Sequence, residues 1–373
     1  MSRPGRVSPR LLFLVPGGAA LLLGLAAALE LLGLDSPLRV DRLGELHAPL
    51  LVFGFVGTLI ALERAVAARR WWGYGAPSAL GLGSLSLLLP VPDAVGRSTV
   101  AVGFALLVAL YTVIWQRQPA TATAVQTLGA VSGLAAAILW LGGLGVPEIL
   151  PGMSVFLILT ISGERLELGR ISPTVTKRVE AAGTALAITL TACVVAAPTL
   201  PVVGYPVLGA ALLLLVAWAV RFDVATRLVR AAAQPRYMAW CLLAGYVWLV
   251  VAGAIWLAVG EPQGWMYDAV VHAVFLGFVM SMIMAHAPHI LPAVLRITLP
   301  YRPFLYLPVV LLHVALAVRV AGDAREMLDL VRWGGLGNLV ALLLFVVLAV
   351  ATAVLGPPAR RPEEADARPG LPT

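Results

Sequence analysis

The chain has 373 residues, 60% of them hydrophobic and only 12% charged, and its mean hydropathy is +0.94. That balance excludes a water-soluble domain of this size and makes the chain a polytopic membrane protein whose first partner is the lipid bilayer. The net charge of +7 is no signature of nucleic acid, since cytoplasmic loops of membrane proteins collect Lys and Arg anyway, and Cys193 and Cys241 are too few for a disulfide framework or a thiolate metal cluster.

Residues 1–10 form a short basic tail with Arg3, Arg6 and Arg10, and the apolar run after it is too long for the core of a signal peptide, so it is read as a retained first helix. Apolar segments follow one another at about 11–33, 46–66, 74–92, 97–115, 121–143, 149–167, 180–198, 202–220, 238–259, 267–287, 303–321 and 334–355. Each is long enough to cross a hydrocarbon core of ~30 Å, and breakers such as Pro92, Pro119, Pro173, Pro235, Pro262 and Pro300 stand between them. The expected organisation is a cytoplasmic tail (1–10), an all-α domain of about twelve transmembrane helices (11–356) and a polar, proline-rich tail (357–373). With the N-terminus cytoplasmic, 20 of the 26 basic residues fall on the inner side, and Arg39, Arg42, Arg97, Arg319, Arg325 and Arg332 fall outside. Both termini are then cytoplasmic, and the location is a bacterial-type cytoplasmic membrane.

In the second segment His47 stands at the outer end, and the inner end closes with Glu63-Arg64. The sixth closes in the same way with Glu164-Arg165, 101 residues later. Sixteen residues outward from each glutamate come His47 and Glu148, and in the tenth segment His272 lies seventeen residues before His289. The second, sixth and tenth helices therefore read as equivalent members of three four-helix units. For the two Glu-Arg pairs, snorkelling ion pairs and a proton or ion entry are the alternatives.

The tenth segment holds three of the five histidines, His272, His286 and His289, spread over roughly 25 Å of helix. An ionisable ring at membrane depth is costly and is commonly kept for a task. His47 and His272 share one depth, and two neutral imidazoles so placed suit the axial ligation of a haem iron, with hydrogen-bonded structural histidines as the alternative. Gly54, Gly57, Gly277 and Ser281 would let a flat macrocycle lie against the backbone, and they would serve plain helix packing equally well. His286 and His289 have the spacing of a metal pair, copper included, although Pro288 disturbs the helix between them. Met280, Met282 and Met284 alternate around the helix and read as packing. His313 in the eleventh segment is isolated, and core histidine and metal ligand stay open. Of the outer arginines, Arg319 and Arg332 would suit haem propionates, and charge balance with Asp35, Asp41, Asp323 and Asp329 is the alternative.

With those residues placed, the chain resembles the haem–copper oxidase superfamily. That fold has twelve helices in pseudo-threefold four-helix arcs and outer histidines on helices two and ten. The family's tenth helix carries a low-spin-haem histidine and, seventeen residues on, a His-x-x-Pro element, similar to His272 and His289-Ile290-Leu291-Pro292. His47-Ala48 is similar to its second-helix His-Ala. Where the sixth helix of an oxidase begins His-Pro-Glu-Val-Tyr, this chain has Val146-Pro147-Glu148-Ile149-Leu150. The copper ligand thus falls on Val146, the cross-linking tyrosine on Leu150 and the high-spin-haem position on Val270, so the resemblance implies a bis-histidine haem b without an oxygen-reducing centre. The segment His47 to Phe55 also resembles the NnrS-like family, twelve-helix haem proteins of the nitric oxide response, although Pro49 stands where that family has its second histidine.

The expected function is that of a membrane haem protein in nitric oxide tolerance, redox sensing or electron transfer, served by a redox partner or quinol, and not an oxygen-reducing enzyme. The alternatives are a cofactor-free proton-coupled transporter using Glu63, Glu164 and His286, and a copper-handling protein using His286, His289 and the methionines.

Overall fold

A computed structural model describes residues 10–36, 38, 40, 42–169, 176–295 and 299–356, with the side chains of residues 168, 169, 289–291 and 293–295 outside the description. Both tails apart from Arg10, and Arg39, Asp41, Pro173 and the His289 ring, therefore lie outside the described residues.

Among the described residues the chain is helical with no strand. In a bilayer every backbone N–H and C=O must be paired within its own segment, and long apolar runs solve that as helices. The long elements are α1 (Leu11–Leu31), α2 (Gly44–Ala68), α3 (Gly75–Ser86), α4 (Asp93–Arg117), α5 (Thr121–Leu141), α6 (Val146–Gly169), α7 (Lys177–Thr199), α8 (Pro201–Phe222) and α9 (Ala233–Val259). After them come α10, which spans Gly264–Pro288 and runs on to Leu295, α11 (Tyr306–Arg325) and α12 (Leu328–Leu355). Prolines mark the starts: Pro92 precedes α4, Pro119 precedes α5, and Pro201 opens α8, where its missing N–H has no intrahelical acceptor to lose.

Eleven of these helices are long and apolar enough to span a membrane. The exception is α3, expected over 74–92, which has 12 residues and ends in turns ahead of Pro90 and Pro92. The chain nevertheless crosses the bundle there, because Arg42, just before α2, bonds Asp93 at 3.0 and 2.9 Å at the start of α4. A 3-10 turn (Trp71–Tyr74) ahead of α3 adds length, and together they extend about 26 Å. Among the described residues, eleven span-length helices and the shorter α3 make up the bundle.

Burial separates the helices. Within their apolar windows α6, α10 and α2 are the most enclosed, at 78%, 72% and 56%, whereas α1, α4, α7 and α12 are at 33% or less. The three helices paired by the repeat expected from the sequence are thus the three most enclosed. α11 and α12 form a close hairpin in which a Cβ on Gly334 would stand 2.5 Å from the Arg319 backbone nitrogen. Leu25 of α1 joins Leu342 and Phe345 of α12 in a smaller apolar cluster, which closes the bundle deeper in.

Candidate functional site

At the bundle end that holds the start of α2, a cavity of about 740 Å³ opens between α1, α2, α10, α11 and α12, with the start of α6 and the end of α5 as its floor and wall. Its volume lies within the range of pockets that enclose a cofactor-sized molecule. His47 and His272 both line it, among Leu25, Leu51, Val271, Phe275, Leu276 and Leu342.

Each ring is held the same way. His47 Nδ1 lies 2.8 Å from the carbonyl oxygen of Gly24 on α1, and His272 Nδ1 lies 2.8 Å from the carbonyl oxygen of Asp268, one turn back on α10. A carbonyl only accepts, so Nδ1 carries the proton and Nε2 keeps its lone pair. Among the described residues neither Nε2 has a hydrogen-bond partner. That is the tautomer a histidine needs to bind a metal through Nε2, with the second nitrogen anchored on the protein.

The two histidines also sit at matching breaks in regular α-helix. Leu50–Gly57 of α2 and Ala273–Met280 of α10 are both eight-residue π-helical stretches, and Gly-Phe-Val occupies the same three places in each, Gly54–Val56 and Gly277–Val279. Wide turns of this kind concentrate at functional sites. His-Ala and Gly-Phe-Val thus recur on α2 and α10, although His47 stands seven residues before Gly54 and His272 five before Gly277.

Four arginines line the cavity, and their partners differ. Arg319 grips Asp268 in a two-pronged fork at 2.8 and 2.8 Å, and the same carboxylate lies 3.3 Å from His272 Nδ1. Arg42 and Arg97 share Asp93, and Arg97 also stacks 5.0 Å from the Trp140 ring centroid and donates to the Trp140 carbonyl. Arg332 donates to the Leu32 carbonyl at 3.2 Å and has no carboxylate partner among the described residues. Direct charge partners of these arginines are Asp93 and Glu45 for Arg42, Asp93 for Arg97 and Asp268 for Arg319; of the aspartates weighed for charge balance, Asp323 also acts on Arg319 and Asp41 lies outside the described residues. Sequence reading missed Asp268, although its place four residues before His272 puts the two on one helical face.

The other sequence candidates lie elsewhere. Gly54 packs on α1 and α3, where a Cβ would stand 2.8 Å from the Ala20 side chain; Gly277 packs on Trp248 of α9; and the Ser281 hydroxyl donates to the Cys241 carbonyl at 2.8 Å. These small residues serve helix packing, and none of them lines the cavity. Trp248 Nε1–H donates to His313 Nδ1 at 2.9 Å, which puts the His313 proton on Nε2, 3.2 Å from Ser281 Oγ. Both nitrogens of His313 are therefore engaged, as in a satisfied core histidine. His286 is buried at the opposite end, its Nδ1 2.8 Å from the Met282 carbonyl, and Met282 and Met284 are buried in the core. Among the described residues no three His, Cys, Asp or Glu side chains converge as a metal-binding group, and both cysteines are free.

The family model of DUF8744, a domain of unknown function, matches residues 10–354. The chain belongs to that family. The match runs from the start of α1 almost to the end of α12, so bundle and cavity are one family unit. No curated protein and no solved structure matches the chain.

Proposed function

We propose that the protein binds haem b in this cavity, where His47 and His272 would hold its iron. The observation that carries the reading is the pair of imidazoles on one large apolar-walled cavity, both with Nδ1 anchored on a backbone carbonyl. The donor set fits the group: two neutral nitrogens suit iron, apolar walls suit a porphyrin, and Arg332 is the arginine best placed to meet a propionate. Arg319 is committed to Asp268 and acts behind His272. Haem would supply reversible one-electron chemistry at iron; the chain's own part is to hold the two rings, exclude water with α1 and α12, and balance charge at the mouth.

The reading is that of an oxidase-like bundle in which the oxygen-reducing centre is absent. The start of α6 lines the cavity with Val146 and Pro147, and Val270 stands two residues before His272, so those places offer no histidine. Burial of α2, α6 and α10 at the centre supports the pseudo-threefold arrangement. Nitric oxide tolerance, redox sensing or electron transfer from a quinol or protein donor follow as the roles. The basic residues at the end opposite the cavity make that end cytoplasmic, with the cavity facing outward; a reporter fused to the C-terminus should be active in the cytoplasm.

The test is the visible spectrum of protein purified from cells with ample haem. A sharp low-spin reduced spectrum is expected, lost or converted to a carbon-monoxide-binding form by His47→Ala or His272→Ala. A colourless wild-type protein would overturn the reading and leave a transporter in front, and metal analysis of the same preparation would reveal bound copper.

A further inference from the structure

The two Glu-Arg pairs, remote in sequence, meet at the end of the bundle opposite the cavity, and they do so unequally. Arg64 of α2 bonds its neighbour Glu63, donates to Gln126 Oε1 of α5 at 3.4 Å, lies 6.0 Å from the Tyr111 ring centroid of α4, and stands 3.8 Å from Glu164 of α6. Arg165 acts on Glu164 only from farther off, because its guanidinium is committed to Asp223 at 2.9 and 2.6 Å. Two carboxylates therefore share one guanidinium. Glu63 holds the hydrogen bond, and among the described residues Glu164 makes none.

Two buried side chains point at the same place. Tyr111 and Gln126 are 0% and 2% exposed, and Tyr111 Oη, Gln126 Nε2 and Arg64 Nε have no acceptor among the described residues. Three donors facing two carboxylates match water, which accepts from the first set and donates to the second. The side chains of Glu63 and Glu164 keep 23% and 18% of their surface exposed, next to exposed Arg69 and Glu167 at the helix ends. On α10, whose second half packs on α2, the described titratable side chain is His286.

We propose that this junction is a hydrated proton-holding site, in which Glu63 and Glu164 carry one proton between them and exchange it with the aqueous phase at that end of the bundle. Two like charges around one arginine, at the edge of a low-dielectric bundle, repel more than a 3.8 Å contact compensates, and a single shared proton removes the excess charge. Glu164, the less firmly held of the two, carries it. The proton comes from water and returns to water, with no redox step, so the site stands whether or not haem binds at the other end.

Infrared spectroscopy of full-length protein in detergent, labelled with ¹³C at the glutamate side-chain carboxyl, tests this. The label separates glutamate from the aspartates, among which Asp323 is buried beside Asp268. Wild type at neutral pH should show a protonated-glutamate carbonyl band that shifts in D₂O. The band should disappear in Glu164→Gln, and also in Glu63→Gln, where Glu164 has Arg64 to itself and ionises; it should persist in Glu167→Gln. A wild-type protein without such a band, or a band surviving in Glu164→Gln or in Glu63→Gln, would overturn the proposal. Should Glu164→Gln fail to fold, wild type and Glu63→Gln decide it.

Discussion

Two Arg–Asp forks of nearly the same geometry stand at opposite ends of the bundle. Arg319 holds Asp268 at 2.8 and 2.8 Å beside the cavity, and Arg165 holds Asp223 at 2.9 and 2.6 Å at the other end. Their third partners differ. Asp268 faces the Nδ1 of His272, whereas Asp223 accepts from the Tyr246 hydroxyl at 2.9 Å and from the Ala225 backbone N–H at 2.8 Å. Asp223 keeps 4% of its side-chain surface exposed and Asp268 keeps 29%. A fork alone is a brace. It becomes part of a site where its carboxylate also orients a group that has a free electron pair and a cavity to face.

The largest expected effects fall at the histidines. His272→Ala or His47→Ala should remove most of the haem, read as the loss of visible absorption per mole of folded protein, and Asp223→Ala should leave that ratio at the wild-type value. Loss of colour in Asp223→Ala protein that still folds would mean that the two ends are not independent.

Stability should separate the forks next. Asp223→Ala leaves Arg165, 8% exposed, buried without its partner, an expected loss of roughly 3–5 kcal/mol in detergent unfolding. Asp268→Ala should cost about 1–2 kcal/mol, because Asp323 stays within electrostatic reach of Arg319, and should shift the haem midpoint potential, since the charge behind His272 is gone. Equal destabilisation with an unchanged potential would reduce the Asp268 fork to a brace like the other.

His313→Ala should cost about 1–3 kcal/mol by stripping the Trp248 N–H of its acceptor, with the haem spectrum unchanged. An altered spectrum would bring His313 into the site. Arg332→Ala is the mildest case. Its exposed guanidinium holds only a backbone carbonyl, so a stability change within about 0.5 kcal/mol is expected, with a small potential shift and haem still bound. Loss of haem would make Arg332 an essential anchor.

Much of this was legible in the residues. The apolar segments located the helices, because a lipid-facing segment must be apolar for its whole crossing and the signal is one-dimensional. The boundary failed at α3, where Gly81 and Gly83 pack on α1 and α4 and the prolines at 90 and 92 end the helix early. Placing His47 and His272 at one depth also needed only segment lengths. Asp268 carries no signal of its own in the sequence, and of the two readings open for Gly54, Gly57, Gly277 and Ser281 the structure shows helix packing.

The sequence by itself determined a many-helix membrane bundle, the depth of each histidine and the uneven spread of basic residues, since each follows from hydropathy counted along the chain. Only the tertiary structure decided which side chains share a cavity, which arginine is already committed, and that Glu63 and Glu164 meet around one guanidinium. Depth is a coordinate along a helix axis and can be counted in residues. Rotation about that axis, and the choice of neighbour, come from how small residues let particular helices approach, and no single segment carries that information.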